Sequence, residues 1–260
     1  TVLNTTPLSR DTRLLVDKVA SQIFTVKKLD DSSSIGQEVI RCNVKLSLEM
    51  IIFVRRVIER SASLRRIPVS QTTNLKQQEI LDTVWKRLKP DMRRVGGLLT
   101  EEWGEIGFQG RDPSTDFRGM GFLALRHLDF FTRTRTEAAR GILLDFSRPG
   151  CYIPFAVTGV NITALVVELL QARSKAMDLR IMTTVDATER LPEEKGSRTC
   201  PADDEDTVSA GLSVLDHVYC DLFIAFGELW VSSGPKSIMD FPPIFHTFSC
   251  NTRAQYASTR

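Results

Sequence analysis

The chain has 260 residues, 42% hydrophobic and 25% charged, which is typical of a globular protein that buries its core without disulfides or metal ions. Its 34 lysines and arginines nearly balance 32 aspartates and glutamates, and a formal charge of +2 does not favour nucleic acid as a partner. The five cysteines are scattered without a CxxC pair, which argues against a zinc site or a disulfide framework and favours free thiols in the reducing cytoplasm.

Helical periodicity recurs along the chain, whereas strand signals are weak throughout. A first helix is predicted from an apolar stripe at helical spacing, formed by Leu15, Val19, Ile23 and Val26. A longer apolar-rich helix is predicted over residues 39–58, and it ends in a run of arginines. We interpret residues 1–72 as an N-terminal helical region that precedes the main domain.

The next helix has a start signal and a stop signal. Asn74 is a favoured N-cap residue, and Pro90 ends the helix because proline cannot continue the helical hydrogen-bond ladder. One face of this helix is apolar and comprises Ile80, Leu81, Val84, Trp85 and Leu88.

A second helix start is predicted at Asp112-Pro113, because aspartate is a favoured N-cap and proline suits the first helical turn. The helix that follows this region carries an apolar face of Leu123, Leu125, Leu128 and Phe131. Thr136 is the predicted cap of a short helix whose inward residues are Ala139, Ile142, Leu143 and Phe146.

The stretch from Tyr152 to Leu170 is apolar and close to the length of a membrane span. It also contains Asn161 and Glu168, so we interpret it as a central buried helix of a helical bundle, with a transmembrane helix as the alternative.

Residues 171–206 are polar and acidic and contain two prolines and a glycine, so this segment is predicted to be a long loop insertion. Helical spacing returns over 208–230, and residues 246–260 are predicted to form an irregular tail. Together these signals predict an all-α fold. The main part is predicted to be a single helical domain over 73–245, with about six or seven helices and, between two of them, a loop that carries a sequence motif.

The motif loop runs from Trp103 to Gly121 and reads WGEIGFQGRDPSTDFRGMG. This density of turn residues beside a helix start indicates a loop of defined shape. Its glycines permit positive φ angles or the close approach of another chain segment. Asp112 and Asp116 are positioned to accept hydrogen bonds from backbone N–H groups, and Arg118 is free to pair with either carboxylate or to remain unpaired.

The motif loop resembles the ELMO-domain family, specifically its ELMOD branch. The family pattern is a tryptophan, two residues, IGFQ, two residues, and then DP-x-TDFRG-x-G before a leucine-rich helix. The chain fills this pattern without a gap through Trp103, Ile106, Gly107, Phe108, Gln109, Asp112, Pro113, Thr115, Asp116, Phe117, Arg118, Gly119 and Gly121.

The resemblance implies a GTPase-activating protein for a small GTPase of the Arf or Arf-like class, with Arg118 as the catalytic arginine supplied in trans. A guanidinium placed beside a departing phosphoryl group provides delocalised charge and parallel hydrogen bonds. The resemblance also implies no cofactor and no metal of the chain's own, since GTP and Mg²⁺ belong to the partner. The chain has no GxxxxGK[ST], HExxH or GxSxG motif, and no intrinsic hydrolase activity is expected.

Two alternatives stay open at this point. Arg118 could instead be a buried ion-pair hub that fixes the loop through Asp112 and Asp116. The whole chain could instead be a non-catalytic ELMO scaffold that binds a GTPase regulator of the DOCK-type exchange-factor pathway. Arg111 is a less favoured candidate for the catalytic arginine, because the family pattern leaves its position open.

The other motif residues have structural interpretations. The apolar ones, Trp103, Ile106, Phe108 and Phe117, are predicted core anchors beneath the loop. Gln109 either orients an attacking water or braces the loop, and Thr115 and Asp116 are predicted to cap the helix. The three histidines, His127, His217 and His246, are interpreted as structural. The basic runs at Arg65-Arg66 and 87–94 are interpreted as solvated helix faces, with peripheral contact to an acidic membrane surface as the alternative.

Overall fold

A computed structural model describes residues 12–28, 35–70, 74–185 and 201–258. These ranges contain nine α-helices and three short 3-10 helices and no strand, which confirms the all-α class. Six of the α-helices lie wholly within 73–245 and a seventh begins there, in agreement with the six or seven predicted for that domain. The α-helices are α1 (Thr12–Lys27), α2 (Ile35–Arg66), α3 (Leu75–Leu88), α4 (Gly121–Thr134), α5 (Thr136–Phe146), α6 (Phe155–Gln171), α7 (Lys175–Met182), α8 (Glu205–Ser232) and α9 (Phe241–Ser258). The 3-10 helices are η1 (Glu101–Ile106), η2 (Pro113–Phe117) and η3 (Ile238–Asp240).

Helix α3 follows its sequence signals closely. The side chain of Asn74 accepts a hydrogen bond from the backbone N–H of Gln77 at 3.3 Å, which confirms the predicted N-cap. The helix ends at Leu88, two residues before Pro90. Most of the predicted apolar face is buried, namely Leu81, Val84, Trp85 and Leu88.

The predicted cap at Thr136 is wrong. Thr136 is the first residue of α5, and Arg135 occupies the N-cap position without a side-chain cap bond. The Thr136 hydroxyl instead donates to the carbonyl of Thr132 at 2.8 Å, because α4 ends only two residues earlier and leaves that carbonyl within reach.

The chain divides into two compact units, one formed by residues 1–60 and 178–214 and the other by residues 61–177 and 215–260. In the first unit, Phe24 and Phe53 are buried, and the guanidinium of Arg41 lies 4.4 Å from the centre of the Phe24 ring. A side chain at Gly211 would collide with Val57, so the glycine lets α8 approach α2 closely within this unit.

The second unit has an aromatic core. Phe131 and Phe155 both stack on Phe223, with ring centres 5.0 and 4.9 Å away. Phe146 and Tyr219 contact the same Phe223 ring. Such aromatic contacts add about 0.5–1.5 kcal/mol per pair beyond the burial of area, so this cluster is a major source of stability.

The prediction of an irregular tail over 246–260 is wrong for the described residues, because α9 continues to Ser258. Pro242 and Pro243 lie in the first turn of α9, where a missing N–H group costs no hydrogen bond. The helix then places aromatic rings at helical spacing against one ring of α8. Phe241, Phe245 and Phe248 all contact Phe226, with ring centres 5.7, 5.3 and 5.3 Å away.

The predicted loop over 171–206 also contains a helix. Helix α7 spans Lys175–Met182 and buries Met177 and Ile181 completely, so this part of the segment is not an exposed loop. Residues 186–200 lie outside the described residues.

Helix α6 is the buried helix that the sequence predicted, and its buried positions span its whole length. In the described chain, only α8 is by itself long and apolar enough to cross a membrane, and 56% of its apolar window is buried in the fold. Helix α6 meets that criterion only together with α7, and the two are bent by 91°. Buried core helices have the same length and composition.

A buried polar cluster lies inside the second unit around His127 and confirms that this histidine is structural. The ring is fully buried, and its Nδ1 lies 3.1 Å from the hydroxyl of Thr163. That hydroxyl also donates to the carbonyl of Gly159 at 3.2 Å. Arg126 forms two hydrogen bonds to Asp216, at 3.0 and 2.6 Å, beside the ring.

This environment keeps His127 neutral. Burial, followed by the positive charge of Arg126, lowers the pKa of His127 from 6.5 to about 3. Between about pH 6.5 and pH 3, His127 is therefore protonated in the unfolded chain and neutral in the folded chain. The stabilisation from a neutral His127 is complete above pH 6.5 and is lost as the pH falls toward 3.

We predict that acidification from pH 6.5 to pH 5 lowers the free energy of unfolding by about 2 kcal/mol through His127 alone. The measurement is urea unfolding at a series of pH values for the natural chain and for His127→Gln, which cannot titrate. Subtracting the two curves removes the contribution of Asp216, whose pKa burial raises. Parallel curves for the two proteins would contradict the prediction.

Candidate functional site

The motif loop is anchored by Trp103, which is fully buried in η1. Its indole N–H donates to the carbonyl of Leu98 at 2.9 Å. The indole meets Trp85 and Phe108 edge-on, with ring centres 5.8 and 5.9 Å away, and Phe108 contacts Phe117 at 5.5 Å. This chain of rings confirms that the motif's large apolar residues are core anchors, and it ties the loop to α3.

A turn upstream of the motif covers the same indole. The guanidinium of Arg94 lies 4.2 Å from the centre of the Trp103 ring and also contacts Asp82 and the carbonyl of Gly97. Glu102 accepts backbone hydrogen bonds from Gly96 at 2.8 Å and Val95 at 3.2 Å, which lower the pKa of its carboxyl group. No local sequence signal indicated these two roles, because Arg94 lies in a basic run and Glu102 follows another acidic residue.

Gly107 and Gly121 have positive φ angles and no room for a side chain. Gly107 has φ 80°, and an added Cβ would collide with the backbone of Phe155 at the start of α6. Gly121 has φ 53°, and an added Cβ would collide with the carbonyl oxygen of Arg65. Both glycines therefore let the loop backbone press directly on another segment, as the sequence predicted.

Asp112 and Asp116 both bind backbone N–H groups. Asp112 is the N-cap residue of η2, with Pro113 as the first helical residue, and its carboxylate accepts from Ser114 N–H at 2.9 Å. The predicted start is therefore confirmed, although the element it starts is a 3-10 helix. Asp116 accepts from the N–H of Gln109 at 2.7 Å and so joins the two halves of the loop. Burial raises the pKa of Asp116 despite this bond.

Arg118 is exposed and forms no hydrogen bond or ion pair with any residue that the structure describes. The interpretation of Arg118 as a buried ion-pair hub is therefore wrong. The two carboxylates predicted to hold it instead accept hydrogen bonds from the backbone, each through one oxygen. Arg118 stands at the end of η2 with φ −51° and ψ −33°, directly after the buried Phe117.

The remaining motif residues occupy the surface around this arginine. Gln109 is exposed, and its backbone N–H rather than its side chain braces the loop. Thr115 donates its hydroxyl to the carbonyl of Asp112 at 2.9 Å, within η2. Arg111 is also exposed but lies 3.7 Å from the carboxylate of Glu101, and it donates to the carbonyl of Leu99 at 3.4 Å. Arg118 is thus the less constrained of the two loop arginines.

Arg87 and Arg65, like Arg94 above, are not simple solvated charges, and the interpretation of the basic runs as solvated helix faces is wrong for all three. Arg87 forms an ion pair with Asp129 at 2.6 Å. Arg65 donates its Nε–H to the carbonyl of Gly119, one residue after Arg118, at 2.9 Å. The partners lie 42 and 54 positions away, so no local sequence signal identified either contact. Among the described residues, no group of three or more His, Cys, Asp or Glu could hold a metal ion.

The helices and the motif loop together define an all-α ELMO-type domain in which an anchored loop exposes Arg118. A sequence model of the ELMO/CED-12 family matches residues 60–245, and the chain belongs to this family. The matched region begins inside α2, ahead of the boundary predicted at residue 73.

Three relatives illustrate the similarity. ELMO domain-containing protein B of Dictyostelium discoideum is 33% identical over 231 residues, covering 88% of this chain and 71% of the relative. The human ELMO domain-containing protein 2 is 28% identical, covering 87% and 68%. The human ELMO domain-containing protein 1 is 28% identical, covering 90% and 69%. No solved structure matches the chain.

The glycines of the loop provide a graded test of its shape. We predict that Gly107→Ala lowers the free energy of unfolding by about 3 kcal/mol or more, since it combines a positive φ with a backbone collision. Gly110→Ala has a positive φ but open space, and it is expected to cost about 1 kcal/mol. Gly119→Ala has neither constraint and is the control, with a change below about 1 kcal/mol. Chemical denaturation measures all three, and equal losses at 107 and 110 would contradict the predicted collision.

Proposed function

We propose that the chain is a GTPase-activating protein for a small GTPase of the Arf or Arf-like class and that Arg118 is the arginine it supplies in trans. The observation that carries the proposal is the state of Arg118, which is exposed and unpaired while both neighbouring carboxylates bind backbone N–H groups. Membership of the ELMO/CED-12 family and similarity to ELMO domain-containing proteins support the same proposal.

The chemistry of phosphoryl transfer suits such an arginine. Negative charge spreads over the phosphate oxygens in the transition state, and a guanidinium stabilises it with a delocalised charge and two parallel N–H donors. An arginine already paired with a carboxylate would have to break that pair before it could act. Arg118 needs no such step, because it forms no ion pair with a described residue.

The rigidity of the loop backbone also supports the proposal. Phe117 is buried on one side of Arg118, and α4 begins at Gly121 on the other side. When a side chain enters a partner's nucleotide site, less backbone conformational entropy is lost if it projects from a fixed backbone segment than if it projects from a loose loop. The side chain of Arg118 itself keeps its freedom, which allows it to adapt to the partner.

The proposed activity requires no cofactor or metal of the chain's own, since the GTPase brings GTP and Mg²⁺. It also places the chain in the cytoplasm, with peripheral contact to membranes where such GTPases act. Exposed arginines such as Arg93 and Arg118 have the charge required to approach an acidic surface.

We predict that Arg118→Lys lowers the maximal stimulated rate of GTP hydrolysis at least about a hundredfold, because lysine keeps the charge but loses the planar fork. The measurement is phosphate release from GTP-loaded Arf and Arf-like GTPases at saturating concentrations of the chain. Arg111→Lys is the matched control, since it changes the other exposed arginine of the same loop, and it is expected to stay within about twofold of the natural chain.

Circular dichroism and thermal unfolding establish that both variants are folded. Stimulation that survives Arg118→Lys would remove Arg118 from the mechanism. A complete lack of stimulation by the natural chain across a panel of GTPases would contradict the proposed activity and favour a non-catalytic scaffold.

A further inference from the structure

Arg65 joins the last turn of α2 to the short segment between η2 and α4, residues 118–120. This segment carries Arg118, and we call it the corner. The Nε–H of Arg65 donates to the carbonyl of Gly119 at 2.9 Å, across 54 positions of sequence. The acceptor belongs to the Gly119–Met120 peptide unit, one residue beyond Arg118. This bond therefore fixes the orientation of the backbone next to the exposed arginine without contacting its side chain.

The backbone of the same segment supports the start of α4. The carbonyl of Ile67 accepts a hydrogen bond from Phe122 N–H at 2.9 Å, which satisfies one of the N–H groups that a helix start leaves unpaired. Met120 is the N-cap residue and provides no side-chain cap bond. Gly121 lies so close to the carbonyl of Arg65 that no side chain fits. The segment from Arg65 to Ile67, which we call the brace, thus holds the corner through side chain and backbone together.

We infer that Arg65 is a positioning residue for Arg118, an inference that rests on the proposed function. The hydrogen bond to Gly119 holds the corner in the orientation from which Arg118 reaches the nucleotide of a partner. Loss of this bond should therefore lower the rate at which bound partner is turned over, while the affinity for the partner stays the same.

Arg65 has a second feature that the test must separate from the first. Its η nitrogens form no hydrogen bond or ion pair with any described residue, so Arg65 also presents a positive charge near Arg118. A direct contact of this charge with the partner would make Arg65 a binding residue. The positioning role depends on the Nε–H donor, whereas the binding role would depend on the charged end of the guanidinium.

Two substitutions separate these atoms. In glutamine, the amide nitrogen stands the same number of bonds from the backbone as the arginine Nε, so Arg65→Gln keeps the donor and removes the charge. Arg65→Met has a similar length and keeps neither the donor nor the charge. Arg66→Met is the matched control, because Arg66 is the exposed neighbour whose side chain bonds only weakly to Ser63, at 3.4 Å.

The experiment measures GTP hydrolysis by a responsive GTPase over a range of concentrations of each variant, which yields a maximal rate and a half-saturating concentration. We expect Arg65→Met to lower the maximal rate about tenfold with an unchanged half-saturating concentration. Arg65→Gln and Arg66→Met should keep the maximal rate of the natural chain. Equal loss in the Gln and Met variants would assign the effect to charge and overturn the inference. An unchanged rate in Arg65→Met, with Arg118→Lys inactive, would also overturn it.

Hydrogen–deuterium exchange gives a second readout that needs no GTPase. The N–H groups of Met120 and Phe122 are hydrogen-bonded at the corner, and we expect both to exchange about tenfold faster in Arg65→Met than in Arg65→Gln. If the natural chain stimulates no GTPase, the proposed function fails, and exchange alone then decides whether Arg65 holds the corner. Equal exchange rates in the two variants would overturn the inference that the Arg65 hydrogen bond holds the corner.

Discussion

The carboxylates of Asp112 and Asp116 each accept a hydrogen bond from a backbone N–H group, and Arg118 beside them forms no ion pair with a described residue. Each of the two bonds shapes the loop, since Asp112 starts η2 and Asp116 connects the end of that element to Gln109. The shape of the loop, and with it the placement of Arg118 at the surface, thus depends on these two hydrogen bonds.

The loop keeps its shape because its large side chains are part of the core. Trp85, Trp103, Phe108 and Phe117 form a continuous series of ring contacts from α3 to η2. Arg94 covers the Trp103 ring and excludes water from it. A loop with such anchors has few alternative conformations, and its polar residues are presented to solvent in one arrangement. The proposed action of Arg118 on a partner's nucleotide requires this fixed arrangement of the loop.

Backbone contacts between distant segments complete the arrangement. Gly107 presses on the start of α6, and Gly121 presses on the end of α2. Each contact lies within the second compact unit, as do Arg118 and its supports. The glycines of the motif therefore act through close packing against particular segments, and Gly110 and Gly119 have open space around them.

The sequence by itself determined what depends on neighbours a few residues apart. Caps such as Asn74, the start at Asp112-Pro113 and the buried helix α6 follow from local hydrogen bonding and from the spacing of apolar residues. The resemblance in the motif loop identified the family. Tertiary structure decided whether Arg118 was buried or free, where Arg65 pointed, and that the aromatic tail formed a helix against Phe226. These outcomes depend on contacts between residues that lie tens of positions apart in the chain. Such contacts produce no periodic pattern in the sequence, so local patterns do not predict them.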